Sequence, residues 1–546
     1  MGRSWILCVL VGCGAEAAPA PPPERAPDPP RAIGPAQSAS LVIRPRFVWA
    51  PSAGADRYEL EVAACRGGVD TCAWTPALAH ASITETSWVP AIDLRGRIAW
   101  RVRACAGACS PWSRARWLDA GRAPIDLDGD GFSDAIAGAP LADLGGKDRG
   151  AVVIAKGPAL TAARLDEPAG ADGAEFGAAL AAGDIDADGK DELVVGAPGH
   201  NDGAGRAYVY TGGAAQPMLA LADPEGASGD AFGAAILVAD FDDDGYADLA
   251  IAAPGAEAGG IRDAGRVLVW RGSAGGAIGP PRVVAAPSPE AFDRFGTALA
   301  AGDLDGDGYP DLVVGAPGLD RAGARRGTDR GAVYVYRGSD DGLLNFATRL
   351  EAPVPLDHDR FGFAIAAGDL DDDGTDELLV GAPSSEAGAS QDGGLVYVFT
   401  RGARTPEKIL QVGDAAYQRF GSAIAIAGDV DGDGFPDVVI GTSAPDRGLA
   451  FVYRGGREGV AAQPLALLQD PSSTAADDFG DSVAGTGDVD GDGLADVLIG
   501  AASARRDGER QGSILVYRGA RRTFSRPLRV DGPAEQAHFG RSLAGR

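Results

Sequence analysis

One nine-residue pattern, Asp-x-Asp-x-Asp-Gly-x-x-Asp/Glu, occurs seven times, starting at Asp126, Asp184, Asp240, Asp303, Asp369, Asp429 and Asp488. The intervals run from 56 to 66 residues. Self-similarity at a long, nearly fixed period identifies a repeat architecture before any strand is assigned. Each loop is followed by an apolar strand, such as Leu312-Val313-Val314 or Val438-Val439-Ile440. Four of these strands run into Gly-Ala-Pro, at 138–140, 196–198, 315–317 and 381–383. The other three read Ala252-Ala253-Pro254, Gly441-Thr442-Ser443 and Gly500-Ala501-Ala502. A variable loop and a β-rich strand closed by glycine come next, as in Tyr208-Val209-Tyr210 and Phe451-Val452-Tyr453. A Phe-Gly pair, at Phe176, Phe232, Phe295, Phe361, Phe420 or Phe479, then stands eight or nine residues before the next loop.

The ends of the array are complementary halves. Asp126 has no Phe-Gly before it, and Phe539-Gly540 has no aspartate loop after it. A closed ring resolves both: the last strand, about Phe539 to Gly545, completes the blade that begins after Asp126, which removes free sheet edges. The expected fold is therefore all-β, a seven-bladed β-propeller over 124–546. The Phe-Gly and Gly-Ala-Pro signatures resemble the FG-GAP repeat of integrin α subunits, over about 420 residues.

Oxygen-only ligands in this number suit calcium, and Gly at the sixth position permits the sharp turn. The spacing is that of an EF-hand loop without its helices or its twelfth-position Glu. The candidate ligands, with the seventh residue contributing its carbonyl, are as follows. The first loop has Asp126, Asp128, Asp130, Phe132 and Asp134, and the second Asp184, Asp186, Asp188, Lys190 and Glu192. The third has Asp240, Asp242, Asp244, Tyr246 and Asp248, and the fourth Asp303, Asp305, Asp307, Tyr309 and Asp311. Asp369, Asp371, Asp373, Thr375 and Glu377 form the fifth set, and Asp429, Asp431, Asp433, Phe435 and Asp437 the sixth. Asp488, Asp490, Asp492, Leu494 and Asp496 form the seventh. Up to seven structural Ca2+ ions are expected. The formal net charge of -28 equals the number of acidic ligand positions, so much of the acidity is a metal requirement. Such acidity also argues against a nucleic-acid partner, whose phosphates are bound by Lys and Arg.

The N-terminus carries Arg3, an apolar run from Trp5 to Val11, then Gly12 and Cys13, too short to span a bilayer as a mature helix. Leu10-Val11-Gly12-Cys13 resembles the lipobox of bacterial lipoproteins. That implies a signal peptide over 1–12, lipidation of Cys13 and anchoring at the cell envelope, at the outer membrane or cell surface; the lipid would be the only membrane contact. An ordinary signal cut near Ala17-Ala18 is the alternative, and either one exports the chain. Residues 13–40 are rich in Pro and Ala and read as an extended spacer.

Period-two patterning over 41–119 reads as a β-sandwich of about seven strands. Tyr58-Glu59-Leu60-Glu61-Val62, Trp100-Arg101-Val102-Arg103-Ala104 and Ser110-Pro111-Trp112-Ser113 resemble a fibronectin type III module. Four cysteines in an exported chain imply disulfides, with three possible connectivities. Cys65 with Cys72 and Cys105 with Cys109 are favoured, since each pair brackets a hairpin turn. In the resembled module, the strands ending at Cys65 and Cys105 run antiparallel, which also sets the two ends apart.

No catalytic constellation stands out. His80, His200, His358 and His538 form no triad or metal set, and the carboxylates are committed to the loops. The chain is therefore expected not to be an enzyme. In integrin-type propellers the calcium loops lie on one face and ligands bind the other. That resemblance points to the loops after Gly-Ala-Pro, where Arg321, Arg325, Arg326 and Arg330, and Arg505, Arg506 and Arg510, cluster. The expected function is that of a cell-surface, calcium-binding adhesion or ligand-binding protein with structural calcium in each blade and a protein or glycan as its ligand. An extracellular enzyme acting on polysaccharide or lipid, and a non-catalytic envelope scaffold, are the alternatives.

Overall fold

The computed structural model describes residues 27–545 apart from 35–38, 41–44, 67–71, 76, 121–122, 213, 277–278, 321–326, 346, 387–391, 413–417, 445–447, 473–476, 507–508, 522–523, 525 and 534–536. Seven four-stranded antiparallel sheets follow one another from 135 to 543. Blade 3 shows the plan: Ala235–Ala239, Asp248–Ala253, Arg266–Trp270 and Arg282–Val284 pair in sequence order. The metal-loop pattern joins the first strand to the second, and the Gly-Ala-Pro segment joins the second to the third. These connections leave opposite ends of the second strand, so they lie on opposite sides of the ring.

Ring closure is as expected. Blade 1 consists of Ala135–Ala139, Ala151–Lys156 and Thr161–Asp166, completed by Ser542–Leu543, with Ala137 opposite Leu543 and Gly138 opposite Ser542. In blades 2 to 7 the second strand begins at the ninth loop position and every residue in it is buried, as in Asp311–Ala316 and Asp437–Thr442. Burial on both faces explains why these strands read as unbroken apolar runs.

The Phe-Gly pairs clamp adjacent blades. All seven phenylalanines, including Phe539, are fully buried. Phe295 meets Tyr334 edge-on at 5.6 Å, inside a core that also takes Val267 and Val269 from blade 3 and Leu312 and Val314 from blade 4. First strands of neighbouring blades pack against one another around the axis. Crowding there favours the Gly that precedes five of the seven loops, Ile125 and Ala239 preceding the first and third: a Cβ on Gly302 would stand 2.9 Å from the Ala367 Cβ and 2.6 Å from Asp376 Oδ2.

Ahead of the ring, two sheets share one core of Phe47, Trp49, Leu60, Val62, Ile98, Trp100, Val102 and Leu118. One contains Ala32–Gly34, Phe47–Trp49 and Ser87–Trp88; the other is built on Arg57–Ala64, Ala79–Ile83, Gly96–Ala106 and Arg116–Ala120. Both expected disulfides form. The antiparallel pairing sets Arg57 opposite Cys105 and Ala64 opposite Ile98, which keeps the two bridges at opposite ends. The spacer is shorter than expected, because Ala32 pairs with Trp49 and Gly34 with Val48, so this unit begins upstream of Leu41. Cys13 and the 1–12 segment lie outside the described residues.

Candidate metal centres

Each loop is wound around its first aspartate. In the third, Asp240 Oδ1 accepts from the Asp244 amide at 3.1 Å and Oδ2 from the Gly245 amide at 2.9 Å. The bond from the sixth-position amide to the first carboxylate recurs in all seven loops at 2.8 to 3.1 Å. The seventh-position amides of Phe132, Lys190, Tyr246, Tyr309, Thr375, Phe435 and Leu494 donate to the fifth-position carboxylates at 2.8 to 3.0 Å. The ninth carboxylate closes the turn: Asp248 Oδ2 accepts from the Phe241 amide at 3.1 Å and Oδ1 from Gly272, just beyond the third strand, at 2.9 Å.

Two residues per loop adopt left-handed backbone. Gly at the sixth position has φ of 83° to 97°, as the pattern implies. The fourth position has φ of 56° to 80° and was not singled out from the sequence. Gly129, Gly306, Gly432 and Gly491 fill it without strain, Ala187 bears a cost of about 1–2 kcal/mol, and Asp243 and Asp372 bear less, because a short polar side chain eases this conformation. The repeated Asp-Gly-Asp-Gly in four loops is the signal that marks it.

The loops are also tied to one another. Amides at the eighth position reach the first-position carbonyl of the preceding loop: Asp191 to Asp126, Ala247 to Asp184, Asp376 to Asp303 and Ala495 to Asp429, at 2.8 to 3.3 Å. Ser133 reaches Asp488 at 3.3 Å and so carries the ladder across the ring closure. Pro310 and Pro436 occupy the two remaining positions and have no amide to give.

The carboxylates converge. One oxygen from each of Asp126, Asp128 and Asp130 lies within 4.8 Å of the others. The same holds for Asp184, Asp186 and Glu192, for Asp240, Asp242 and Asp248, and for Asp303, Asp305 and Asp307. Burial pushes the ninth-position groups up, to about 6 for Asp134, about 7 for Asp311, Asp437 and Asp496, and about 8 for Glu192 and Glu377; neighbouring carboxylates add to the rise. Asp128 Oδ1 and Asp242 Oδ1 are buried with no hydrogen-bond partner. Buried acceptors lacking a donor, in an all-oxygen set, fit a hard divalent cation.

A cation from the chain itself stands beside most loops, which the sequence reading missed. Lys156 Nζ lies 2.9 Å from Asp128, Arg271 Nη1 3.1 Å from Asp242, and Arg518 Nε 3.0 Å from Asp490. Arg337 pairs with Asp305 and Arg454 with Asp431, while Arg401 takes Asp373 at 2.6 Å. The signal is a Lys-Gly or Arg-Gly pair after the third strand of six blades; blade 2 has Thr211-Gly212.

On the other side, Arg330 is paired with Asp357 at 2.8 Å, and Arg505–Arg506 forms a two-stranded ribbon with Glu509–Arg510. Arg321, Arg325 and Arg326 lie outside the described residues. His200 is buried, its Nδ1 3.7 Å from Glu167.

The FG-GAP repeat family matches residues 123–154, 176–210, 232–270, 295–336, 361–399, 420–457 and 479–517, one segment per blade. The ring is an FG-GAP propeller. Its curated relatives include integrin alpha-5 of Xenopus laevis, 36% identical over 238 residues, which are 41% of this chain and 21% of that protein. Integrin alpha-IIb of Homo sapiens is 34% identical over 247 residues, 42% of this chain and 22% of that protein. The chain thus spans about a fifth of the length of the relatives it matches. Among solved structures, the Dos1 propeller aligns with 74% of this chain and 87% of its own at 14% identity and a TM-score of 0.38. A Bacillus licheniformis rhamnogalacturonan lyase aligns with 92% of this chain and 75% of its own at 14% identity and a TM-score of 0.30.

Proposed function

We propose that this chain is an exported, calcium-built binding protein of the adhesion kind, tethered at the cell envelope through a lipid on Cys13. The observation that carries the calcium reading is the gathered carboxylates with undonated oxygens, Asp128 Oδ1 and Asp242 Oδ1, on one side of the FG-GAP ring. Asp126, Asp128, Asp130 and Asp134, and their counterparts in the other six loops, would hold the ions. Each ion would cancel carboxylate repulsion that the single Lys or Arg beside a loop only partly offsets. The calcium is structural on this reading. The protein or glycan ligand meets the opposite side, at the segments after Gly-Ala-Pro, and is bound without turnover. We read the two-sheet unit at the N-terminus as a fibronectin type III-like module.

Thermal unfolding in millimolar calcium and again with chelator tests the metal. A melting temperature several degrees higher with calcium is expected; equal curves would reject the calcium reading. Turnover of a glycan panel by the purified chain would reject the binding reading in favour of an enzyme.

A further inference from the structure

The loop side of the ring is covered over blades 2 to 4 by the chain's own N-terminal module. The contacts come from the start of the strand Gly96–Ala106, the start of Arg116–Ala120 and the residues just before Ala32–Gly34. Arg97 Nη2 donates to Asp184 Oδ2 at 2.9 Å, and Arg97 Nη1 donates to the Gly245 carbonyl. Trp117 Nε1 donates to Asp240 Oδ2 at 3.0 Å, and the Arg97 guanidinium lies 4.4 Å from the centre of the Trp117 ring. Arg114 Nη2 donates to the Asp242 carbonyl at 3.1 Å and pairs with Asp243 at 2.5 Å, over the Tyr309 ring. Arg31 Nη1 donates to the Gly306 carbonyl at 2.8 Å. Arg116 is buried in the field of Asp243, Asp303 and Asp376.

Three features mark a fitted surface. The Arg97 and Asp184 side chains are only 7% and 6% exposed, and ions taken out of water to this degree must be matched to their partners. Blade 2, whose loop receives Arg97, has Thr211-Gly212 and no Lys-Gly or Arg-Gly pair after its third strand; blade 5 has Thr400 at the same place but follows it with Arg401-Gly402, so it is for blade 2 that the module supplies the missing cation. The acceptors are a first-position Oδ2 in loops 2 and 3, the third- and sixth-position carbonyls of loop 3 and the fourth-position carbonyl of loop 4. They are presented together only when the turns are closed, with the fourth and sixth residues left-handed.

We propose that the loop side of blades 2 to 4 is a docking surface for the N-terminal module, gripped only in the closed, cation-gathering conformation, so that cation binding and docking reinforce one another. The coupling rests on the calcium reading; the docking does not. Coupled equilibria are reciprocal, so whatever calcium adds to docking, docking adds to calcium affinity.

Small-angle scattering on the whole chain, with calcium and with chelator, reads the docking, and a melting curve on the same samples reads the metal. Wild type is expected to be compact in calcium and to gain radius of gyration and maximum dimension in chelator. Arg97→Ala with Trp117→Phe is expected to be extended even in calcium and to bind calcium at the second and third loops about 5-fold or more weakly. Asp243→Asn removes the Arg114 partner at a position that is not a candidate ligand, and Asn tolerates left-handed backbone; it should open the chain partially even if the double variant misfolds. Variants as compact as wild type in calcium would overturn the docking. Wild type that stays compact in chelator while its melting temperature falls would overturn the coupling. Melting that ignores calcium altogether would reject the calcium reading and leave the docking to be judged on the variants.

Discussion

Asp437→Asn separates the two roles that a ninth-position carboxylate can have. In the structure Asp437 is fully buried, and its two oxygens accept from the Val430 amide at 3.0 Å and the Gly455 amide at 3.1 Å. Asn keeps the shape and one acceptor, so one buried amide is left unmatched, at about 1–3 kcal/mol. Without metal that loss is offset in part, because burial already raises Asp437 to about 7 and the substitution removes a charge beside Asp431 and Asp433. With calcium at 100 times its dissociation constant, each site adds about 2.7 kcal/mol, and losing a ligand forfeits most of it. Asp437→Asn should therefore destabilise by about 2–3 kcal/mol more in calcium than in chelator. Denaturant midpoints of wild type and variant under both conditions give the four values needed. An equal loss in both would mean that Asp437 is only a cap for two amides and that no ion is held there.

Two further substitutions test the blade packing and the buried acids on the other side of the ring. Phe295→Ala empties a fully buried site between blades 3 and 4 and should cost about 3–5 kcal/mol, equally in calcium and chelator; a loss below 1 kcal/mol in denaturant unfolding would deny the clamp role. Asp293 is raised to about 6 by burial, its Oδ2 accepts from the Glu290 amide at 2.7 Å, and its Oδ1 has no donor. A raised folded-state pKa means that the stabilising contribution is full below the unfolded value near 4 and is lost as pH climbs through about 6. Asp293→Asn should therefore be more stable than wild type near pH 8, by on the order of 1–3 kcal/mol, with the advantage shrinking as pH falls to about 4. Midpoints in calcium at the two pH values check this, and a difference that does not change with pH would refute it.

What was legible in the sequence is whatever repeats. The loops, the clamping phenylalanines and the closure of blade 1 by Ser542–Leu543 follow from a period and from two complementary half-repeats. The local disulfides followed from hairpin spacing and from antiparallel strands that keep Cys65 and Cys105 apart. The left-handed fourth position was half visible, because Gly marks it in four loops and Ala187, Asp243 and Asp372 disguise it in three. The inter-loop ladder was invisible. It runs through backbone amides that every residue but proline possesses, so Pro310 and Pro436 betray it only once the ladder is known. Arg31, Arg97, Arg114 and Trp117 could not be assigned either, because their meaning depends on how one unit sits on another.

The basic residues change how the acidity should be read. Counting ligand carboxylates against the net charge of -28 treats them as a debt owed entirely to metal. In the structure, Lys156, Arg271, Arg337, Arg401, Arg454 and Arg518 each stand on a loop carboxylate, and Arg97 serves the one loop whose blade lacks such a residue. Four carboxylates with one such cation leave a loop strongly negative, and a divalent ion brings it close to neutral. The chain thus supplies enough positive charge to keep the loops closed against their own repulsion without satisfying them. In the third loop this shows atom by atom, since Arg271 takes Asp242 Oδ2 and leaves Oδ1 buried and undonated. A set of carboxylates meant only as an internal salt-bridge network would have that second oxygen matched as well.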